Sequence, residues 1–580
     1  MNINSFSSSV MKIHCLLIVC FFFGREVLAQ DIPKESLTKP QITYWDFQKT
    51  KVQSVGSYYQ DYRGPSVEKH GEWKYFDKNG TLEEEQNYYR NKLHGAVRMY
   101  YGKGKLKTEG FFKQGLQDSI YRSWFENGQL REEGFYKNDK PNNLWKYYYN
   151  SGQLMLVEKY VDTLALVMEF YDKNGTQTVI DGTGQKESFY GSGNIKDRYN
   201  FMNGYKHGAF AEYHVAGHEE VQGSYHFGLK NGAWTFRFYT GDLFKIITYN
   251  QDVLNGHYEN YYDNGQLNVI GSYSNGQKDS IWTWYTNTGV VDMSGSFIQD
   301  KQHGDWLFNY PRGTLNYKGR FDMGKRVGTW VFFYPDGSRH RQGNFTNDIE
   351  DGLWQTWYES GKMLMEGYYK LGKEDGKWTN YWENGKIKNL GHFKNGELEG
   401  RWESYYPNGN MNISGYYRNG FKEKEWTDYY ANGKPRELVT YKIIKKKSVV
   451  NKSRVLESVK HGKYEAFSAK DYRFTETGSY KNGHKHGLWI AYYPGGTLPA
   501  VVSEYKEGRL HGVVREYELK AGKALRSETA YKDGAKHGSM IVYDKKGKKI
   551  AEKIFENGSE VKELEQPPIR EKGSNPRGKK

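Results

Sequence analysis

The stretch "HGEWKYFDKNGTLEEEQNYYRNKLHG", His70 to Gly95, ends on the two letters with which it begins. A phrase that restarts at its own end marks a repeat, and self-similarity takes precedence over any local secondary-structure signal. The glycine that opens each copy, or the residue in its place, falls at Gly208, Gly232, Gly256, Ser280, Gly304, Gly328, Gly352, Gly376, Gly400 and Lys424, nine consecutive steps of 24. Gly71, Gly95 and Ser119 keep the same step. Between Asn143 and Gly208 the pattern blurs. After the basic stretch "YKIIKKKSVVNKSRVLESVK", 441–460, it resumes at Gly462, Gly487, Gly512 and Gly538 with steps of 25 or 26. About twenty copies fill residues 70–560.

Each copy reads G-x-W-x-x-Y-Y-x-N-G-x-L-x-x-x-G-x-Y-x-N-G-x-x-H. Asn-Gly is the strongest short hairpin signal, because both residues tolerate positive φ. The segments between turns have strand length and are rich in aromatics. The predicted fold class is all-β: an elongated repeat array of 24-residue β-hairpins forming a twisted antiparallel meander. A two-residue turn at Asn264-Gly265 sets Asp263 opposite Gln266, Tyr262 opposite Leu267 and Tyr258 opposite Gly271. The same register sets Trp354 opposite Gly367, Trp306 opposite Gly319, Trp330 opposite Gly343, Trp378 opposite Gly391 and Trp402 opposite Gly415. In each pair the glycine leaves room for the ring across the strand, and the ring covers its backbone.

Composition agrees. Only 37% of the 580 residues are hydrophobic while 17% are aromatic, too few aliphatics for several ordinary cores and too many aromatics for a disordered chain. The net charge of +15 comes from interspersed charges and reads as a solvated surface. "MKIHCLLIVCFFFGREVLAQ" reads as a signal peptide, 1–29, cleaved after Ala29. Both cysteines, Cys15 and Cys20, lie inside it, so the mature chain has no disulfide, thiol nucleophile or Cys-bound metal. The expected location is exported: periplasmic, outer-membrane-associated or extracellular, which disfavours nucleic acid as a partner. The domain plan is an N-terminal segment with a partial repeat at 30–69, repeats at 70–440, the basic insertion at 441–460, repeats at 461–560 and a disordered basic tail at 561–580.

The recurring phrase "NGxxxGxWxxYYxNGxL" resembles the MORN-repeat variant of many bacterial proteins, some of which carry an antitoxin label. The resemblance implies an elongated, twisted β-sheet acting as an interaction scaffold; some eukaryotic MORN proteins associate with membranes or anionic lipids. It implies no reaction.

Candidate chemistry is sparse. His70, His94, His207, His303, His461, His486, His511 and His537 all precede a repeat glycine. Neighbouring repeats lie two strands apart, about 9.5 Å, so these imidazoles cannot share one ion. Asp118, Asp279, Asp351 and Asp375 fill the same position, which points to a hydrogen-bonding role in the loop. In "YHVAGHEEVQGSYH", 213–226, His214 is expected opposite Glu219, two ligands rather than a full metal set. "EEEQ" (83–86) alternates between faces, and "DGTGQ" (181–185) and "GSGN" (191–194) lack the flanks of phosphate loops. No catalytic residue, metal site or cofactor is assigned.

One array stands out. Tyr261, Tyr285, Phe333, Trp357, Tyr381, Tyr405 and Tyr429 lie three residues after the repeat Trp position, on the face away from Trp354. They form either a ladder for binding a protein or an envelope glycan or lipid, or the second packed face of a coiled sheet. The leading functional expectation is an exported, non-enzymatic repeat scaffold. An antitoxin-like protein sequestering one partner is the alternative, and an envelope-polymer hydrolase ranks third for lack of an acid pair.

Overall fold

The computed structural model describes residues 36–447, 453–519 and 524–563. The stretch expected to be a signal peptide, with Cys15 and Cys20, and most of the tail expected at 561–580 lie outside them. Among the described residues the regular structure is β-strand, apart from one 3-10 turn at Gly102–Gly104. No helix among the described residues is long and apolar enough to cross a membrane. Two compact units are present. One runs to Leu243 and includes Thr248–Val253; the other comprises Phe244–Ile247 and the chain from Leu254 on.

In the second unit each strand pairs antiparallel with its neighbours in the chain, as in Ile349–Trp357, Met363–Lys370 and Lys373–Tyr381. Tyr258↔Gly271, Trp354↔Gly367 and Trp378↔Gly391 pair as the sequence predicts. The turns differ. Leu267 faces Tyr261 rather than Tyr262, and a register shift follows. At this turn only Gly265 is left-handed (φ +81°), so a two-residue loop, which needs both central residues at positive φ, does not form. Instead Gly265 N–H donates to Tyr262 O (3.0 Å) and Tyr262 N–H to Gln266 O (2.8 Å). Asn264 serves through its side chain: Oδ1 accepts from Gln266 N–H (3.0 Å) and Nδ2 donates to Asn287 O (2.8 Å) in the next repeat. The two-residue turn sits between repeats. Asn275 (φ +49°) and Gly276 (φ +83°) join Ser274 to Gln277 there.

The core lies on one face. Trp306, Phe321, Trp330, Phe345 and Trp354 are buried as one cluster with Trp284, Phe297, Phe308 and Phe332 against it. The direction of the Trp–Gly contact corrects the sequence reading. A Trp pairs in register with the glycine of its own hairpin, but its ring turns back onto the glycine of the preceding one. Trp306, Trp330, Trp354, Trp378 and Trp402 cover Gly295, Gly319, Gly343, Gly367 and Gly391, and Gly415 lies under Trp426. A Cβ built on Gly343 would stand 1.9 Å from Trp354 Cδ2. In several repeats the indole N–H then reaches the carbonyl just past the glycine, as in Trp378 to Tyr368 O (3.1 Å) and Trp306 to Ser296 O (3.1 Å); the Trp354 N–H makes no such bond.

Beside six of the indoles stands the Tyr or Phe two residues beyond the covered glycine. Tyr273–Trp282, Phe297–Trp306, Phe321–Trp330, Phe345–Trp354, Tyr369–Trp378 and Tyr417–Trp426 meet nearly perpendicular at 4.9–5.2 Å. Such edge-to-face pairs contribute about 0.5–1.5 kcal/mol beyond burial. A cation closes the stack over the ring: Lys278 on Trp282 (4.6 Å), Lys422 on Trp426 (4.1 Å) and Lys485 on Trp489 (3.8 Å). In the Trp354 repeat Glu350 occupies that position, and Arg341 from the preceding strand covers the ring (4.0 Å) while pairing with Glu350 (2.9 Å).

The first unit uses the same joint at Gly56–Trp73, Gly134–Trp145 and Gly223–Trp234. Where the pattern blurs, a cluster of the aliphatic Leu156, Val167 and Val179 with Phe170 and Phe201 replaces the indole stack. The basic insertion belongs to a lengthened hairpin, Pro435–Lys447 with Arg454–Phe467, whose pairing continues from Tyr441↔Lys460 to Lys447↔Arg454.

Candidate binding face

Strand alternation carries the side chains that do not enter the Trp stack to the opposite face. The ladder residues Tyr261, Tyr285, Phe333, Trp357, Tyr381, Tyr405 and Tyr429 are all half-buried. Their contacts fix the face. Tyr381 Oη donates to Glu366 Oε1 (2.9 Å), and Gln355, directly across from Glu366 in the register, donates to its other oxygen. Gln355 and Glu366 neighbour Trp354 and Gly367 in their strands, so they point the other way. Tyr405 Oη donates to Glu403 (2.7 Å) and Tyr261 Oη to Glu259. Burial, then the carboxylate acceptor, pushes Tyr261 and Tyr405 up to about 12. Tyr381 moves in the same direction for the same causes. Arg339 lies over the Trp357 ring at 5.2 Å. The ladder has a gap at Asn309, whose amide donates to Val291 O (2.9 Å). Beside it runs an open trough lined by Asp305, Leu307, Lys318, Arg320, Thr329 and Val331.

The sequence reading missed the row that aligns this ladder. The tyrosine that follows the ladder position donates across to the ladder carbonyl of the next repeat: Tyr262 to Tyr285 O, Tyr310 to Phe333 O, Tyr334 to Trp357 O and Tyr358 to Tyr381 O, each 2.9 Å. Trp382 does the same to Tyr405 O (3.0 Å) and Tyr406 to Tyr429 O (2.8 Å). Six of the seven ladder residues, all but Tyr261, are thus held by the repeat before them. The recurrence of an aromatic after the ladder position was the available signal.

The periodic histidines take the loop role expected of them in four repeats. His70, His94, His207 and His461 accept through Nδ1 from the backbone N–H of the next inter-repeat turn, at 3.2–3.4 Å. Asn255, Asp118 and Glu399 accept at the equivalent place. His303 and His511 instead lie 3.3 and 3.4 Å from Asp322 and Asp533. In the 213–226 segment, Glu219 pairs with Tyr213 rather than His214, because this hairpin also has the longer turn. His214 stacks on His218 at 4.8 Å. Among the described residues no group of three or more His, Cys, Asp or Glu side chains could hold a metal ion.

Hairpins that complete one another's packing, donate across one another's turns and repeat in phase define a β-repeat protein. Nine segments match the family described as MORN repeat variant: 69–91, 93–114, 117–138, 254–275, 326–347, 350–371, 374–395, 398–419 and 422–442. The chain belongs to the MORN repeat variant family. No curated protein matches it. Among solved structures, "Crystal Structure of TcdB2-TccC3-Cdc42" is similar over 89% of this chain and 30% of that one, at 10% identity and a TM-score of 0.12. "Crystal Structure of TcdB2-TccC3-TEV" covers 87% and 28% at 11% identity and a TM-score of 0.13. The chain spans about a third or less of those chains, and such TM-scores are far below those of a shared fold.

Proposed function

We propose that this protein is an exported, non-enzymatic repeat scaffold that binds an extended partner, a protein or an envelope glycan or lipid, along its aromatic ladder. The supporting observation is a row of half-exposed rings at one position of every repeat from Tyr261 to Tyr429 except that of Asn309, on the face opposite the Trp stack. Three of its hydroxyls are already held by carboxylates. Ring faces fixed in this way lose little side-chain entropy on binding, which favours stacking on flat or extended ligands. Export rests on the N-terminal sequence alone.

Changing Trp357, Tyr381 and Tyr405 together to Ser tests the reading. Capture of ligands from envelope extracts should be lost while the melting temperature stays within a few degrees. A variant that no longer folds would make the ladder part of the core. Many glycan-like ligands support this reading, whereas one stoichiometric protein supports the antitoxin-like alternative.

A further inference from the structure

The lengthened hairpin leaves part of itself outside the sheet. On one side the last pairing is Lys424↔Tyr441, and on the other it is Gly462↔Tyr480. Six pairs, Lys442↔Val459 to Lys447↔Arg454, extend beyond them as a two-stranded ribbon. Among the described residues neither outer edge of this ribbon pairs with a strand, so alternate N–H and C=O groups of Lys442–Lys447 face outward unpaired with backbone.

The two faces of the ribbon differ in charge. On one face Lys446 pairs with Glu457 (3.1 Å). The other carries Ile443, Lys445, Lys447, Arg454, Leu456 and Ser458 by strand alternation and pairing. Among the described residues no carboxylate lies within ion-pair distance of Lys445, Lys447 or Arg454, while Lys460, at the base, already pairs with Glu437 (3.4 Å). Lys447 stands directly across from Arg454, a like-charge juxtaposition that is unfavourable without a counter-charge. Leu456, between them and the sheet, is 41% exposed.

We infer that the Lys442–Lys447 edge is a docking strand for an acidic, extended segment of a partner protein, which adds to the ribbon by backbone pairing. Strand addition uses everything on view: the open edge for main-chain hydrogen bonds, and alternate side chains for selection. Carboxylates at every second position of the incoming strand fall beside Lys445 and Lys447, and relieve the Lys447–Arg454 repulsion. A second copy of the ribbon brings lysine against lysine and is rejected. A phosphate-bearing polymer would use the cations but neither the open edge nor Ile443 and Leu456, and a membrane would leave the open edge without backbone partners. This surface is separate from the aromatic ladder.

The test uses the full-length protein and a fluorescein-labelled octapeptide of alternating Glu and Val, followed by anisotropy at physiological salt. Binding is expected, weakened at least tenfold by K445Q/K447Q/R454Q and retained by K445R/K447R/R454K. Hydrogen exchange in Phe421–Tyr429 should be unchanged in both variants. N-methylation of alternate peptide amides, which leaves the protein untouched, should also weaken binding at least tenfold. No binding of the Glu-Val peptide overturns the proposal. So does equal binding of the N-methylated peptide, or polyphosphate binding that the Glu-Val peptide cannot displace, because each leaves only a charge patch.

Discussion

The direction of the Trp–Gly contact predicts an asymmetry that double-mutant cycles can read. In Gly343→Ala the new methyl would stand 1.9 Å from Trp354 Cδ2, where carbon–carbon contact is comfortable only near ~3.5 Å. The indole lies between strands and cannot swing away freely, so the strands must part or the ring must leave its slot. Overpacking of this kind costs about 1–3 kcal/mol. Complete loss of the ring's packing, about 3–5 kcal/mol, is the ceiling. In a Trp354→Ala background the methyl has room, and the same change should be neutral or stabilising by up to ~1 kcal/mol through reduced freedom of the unfolded chain. The coupling between 343 and 354 is therefore roughly 1–4 kcal/mol. Gly367→Ala crowds Trp378 (2.1 Å) instead, so its effect and that of Trp354→Ala should add to within about 0.5 kcal/mol. An array of repeats opens locally, so the readout is native-state hydrogen exchange of Arg339–Thr346 and Ile349–Trp357 rather than one melting temperature. Gly191→Ala, where no atom lies within 4 Å of the added carbon and the backbone is not left-handed, is the control and should be silent. Coupling of Trp354 to Gly367 as large as to Gly343 would refute the assignment.

His70 is buried, and its pKa is lowered by that burial and then by Arg90. Its neutral form is the folded form, so its contribution is complete above the ordinary histidine value of about 6.5 and is lost as pH falls below it. Amide protection factors in Gly64–Phe76, taken against the intrinsic exchange rate at each pH, should fall on mild acidification, and His70→Asn should flatten that response. Glu399→Asn should keep the turn bond now made by Asn419 N–H at 2.8 Å, whereas Glu399→Ala should cost about 0.5–1.5 kcal/mol by denaturation of the 397–420 region. The tyrosines held near 12 contribute stability that is whole below their unfolded value of about 10 and disappears as pH climbs from there to about 12. Absorbance titration at alkaline pH should show late-ionising phenols, and Tyr261→Phe with Tyr405→Phe should remove two of them. Ionisation of every tyrosine near 10 in the folded protein would contradict their burial.

The sequence made the meander and its distant register legible, because a period of 24 and in-phase turn residues leave little else for the strands to do. Both faces were also legible from alternation. The turn near Asn264 was not, since Asn-Gly serves a two-residue turn and a longer one equally well, and only the backbone tells them apart. The ring direction was readable and was missed. Trp73, Trp145, Trp426 and Trp489 pair in their own hairpins with Gln86, Glu158, Val439 and Ser503, none of them glycine. Where Val514 and Met540 replace Trp, the residues across from them in the preceding strands are Ser503 and Thr529. Glycine follows the indole of its successor. Of the ladder's carboxylate acceptors, Glu259 and Glu403 stand two residues before Tyr261 and Tyr405 on the same strand and were within reach of alternation; Glu366 was not, because it is contributed by the hairpin before Tyr381.

That backward lean of the indole moves the natural seam of the chain by half a period. The self-sufficient piece is not the hairpin from one repeat glycine to the next. It is the strand pair around the short turn, Met363–Lys370 with Lys373–Tyr381, in which Gly367 and the Trp378 that covers it travel together. A duplication or trimming cut in the longer loop after Tyr381 passes whole joints to both sides. A cut at Leu371-Gly372 strips Gly367 of its cover and leaves Trp378 with no slot. Chains of this architecture can change length freely, provided that recombination respects the loop and spares the turn.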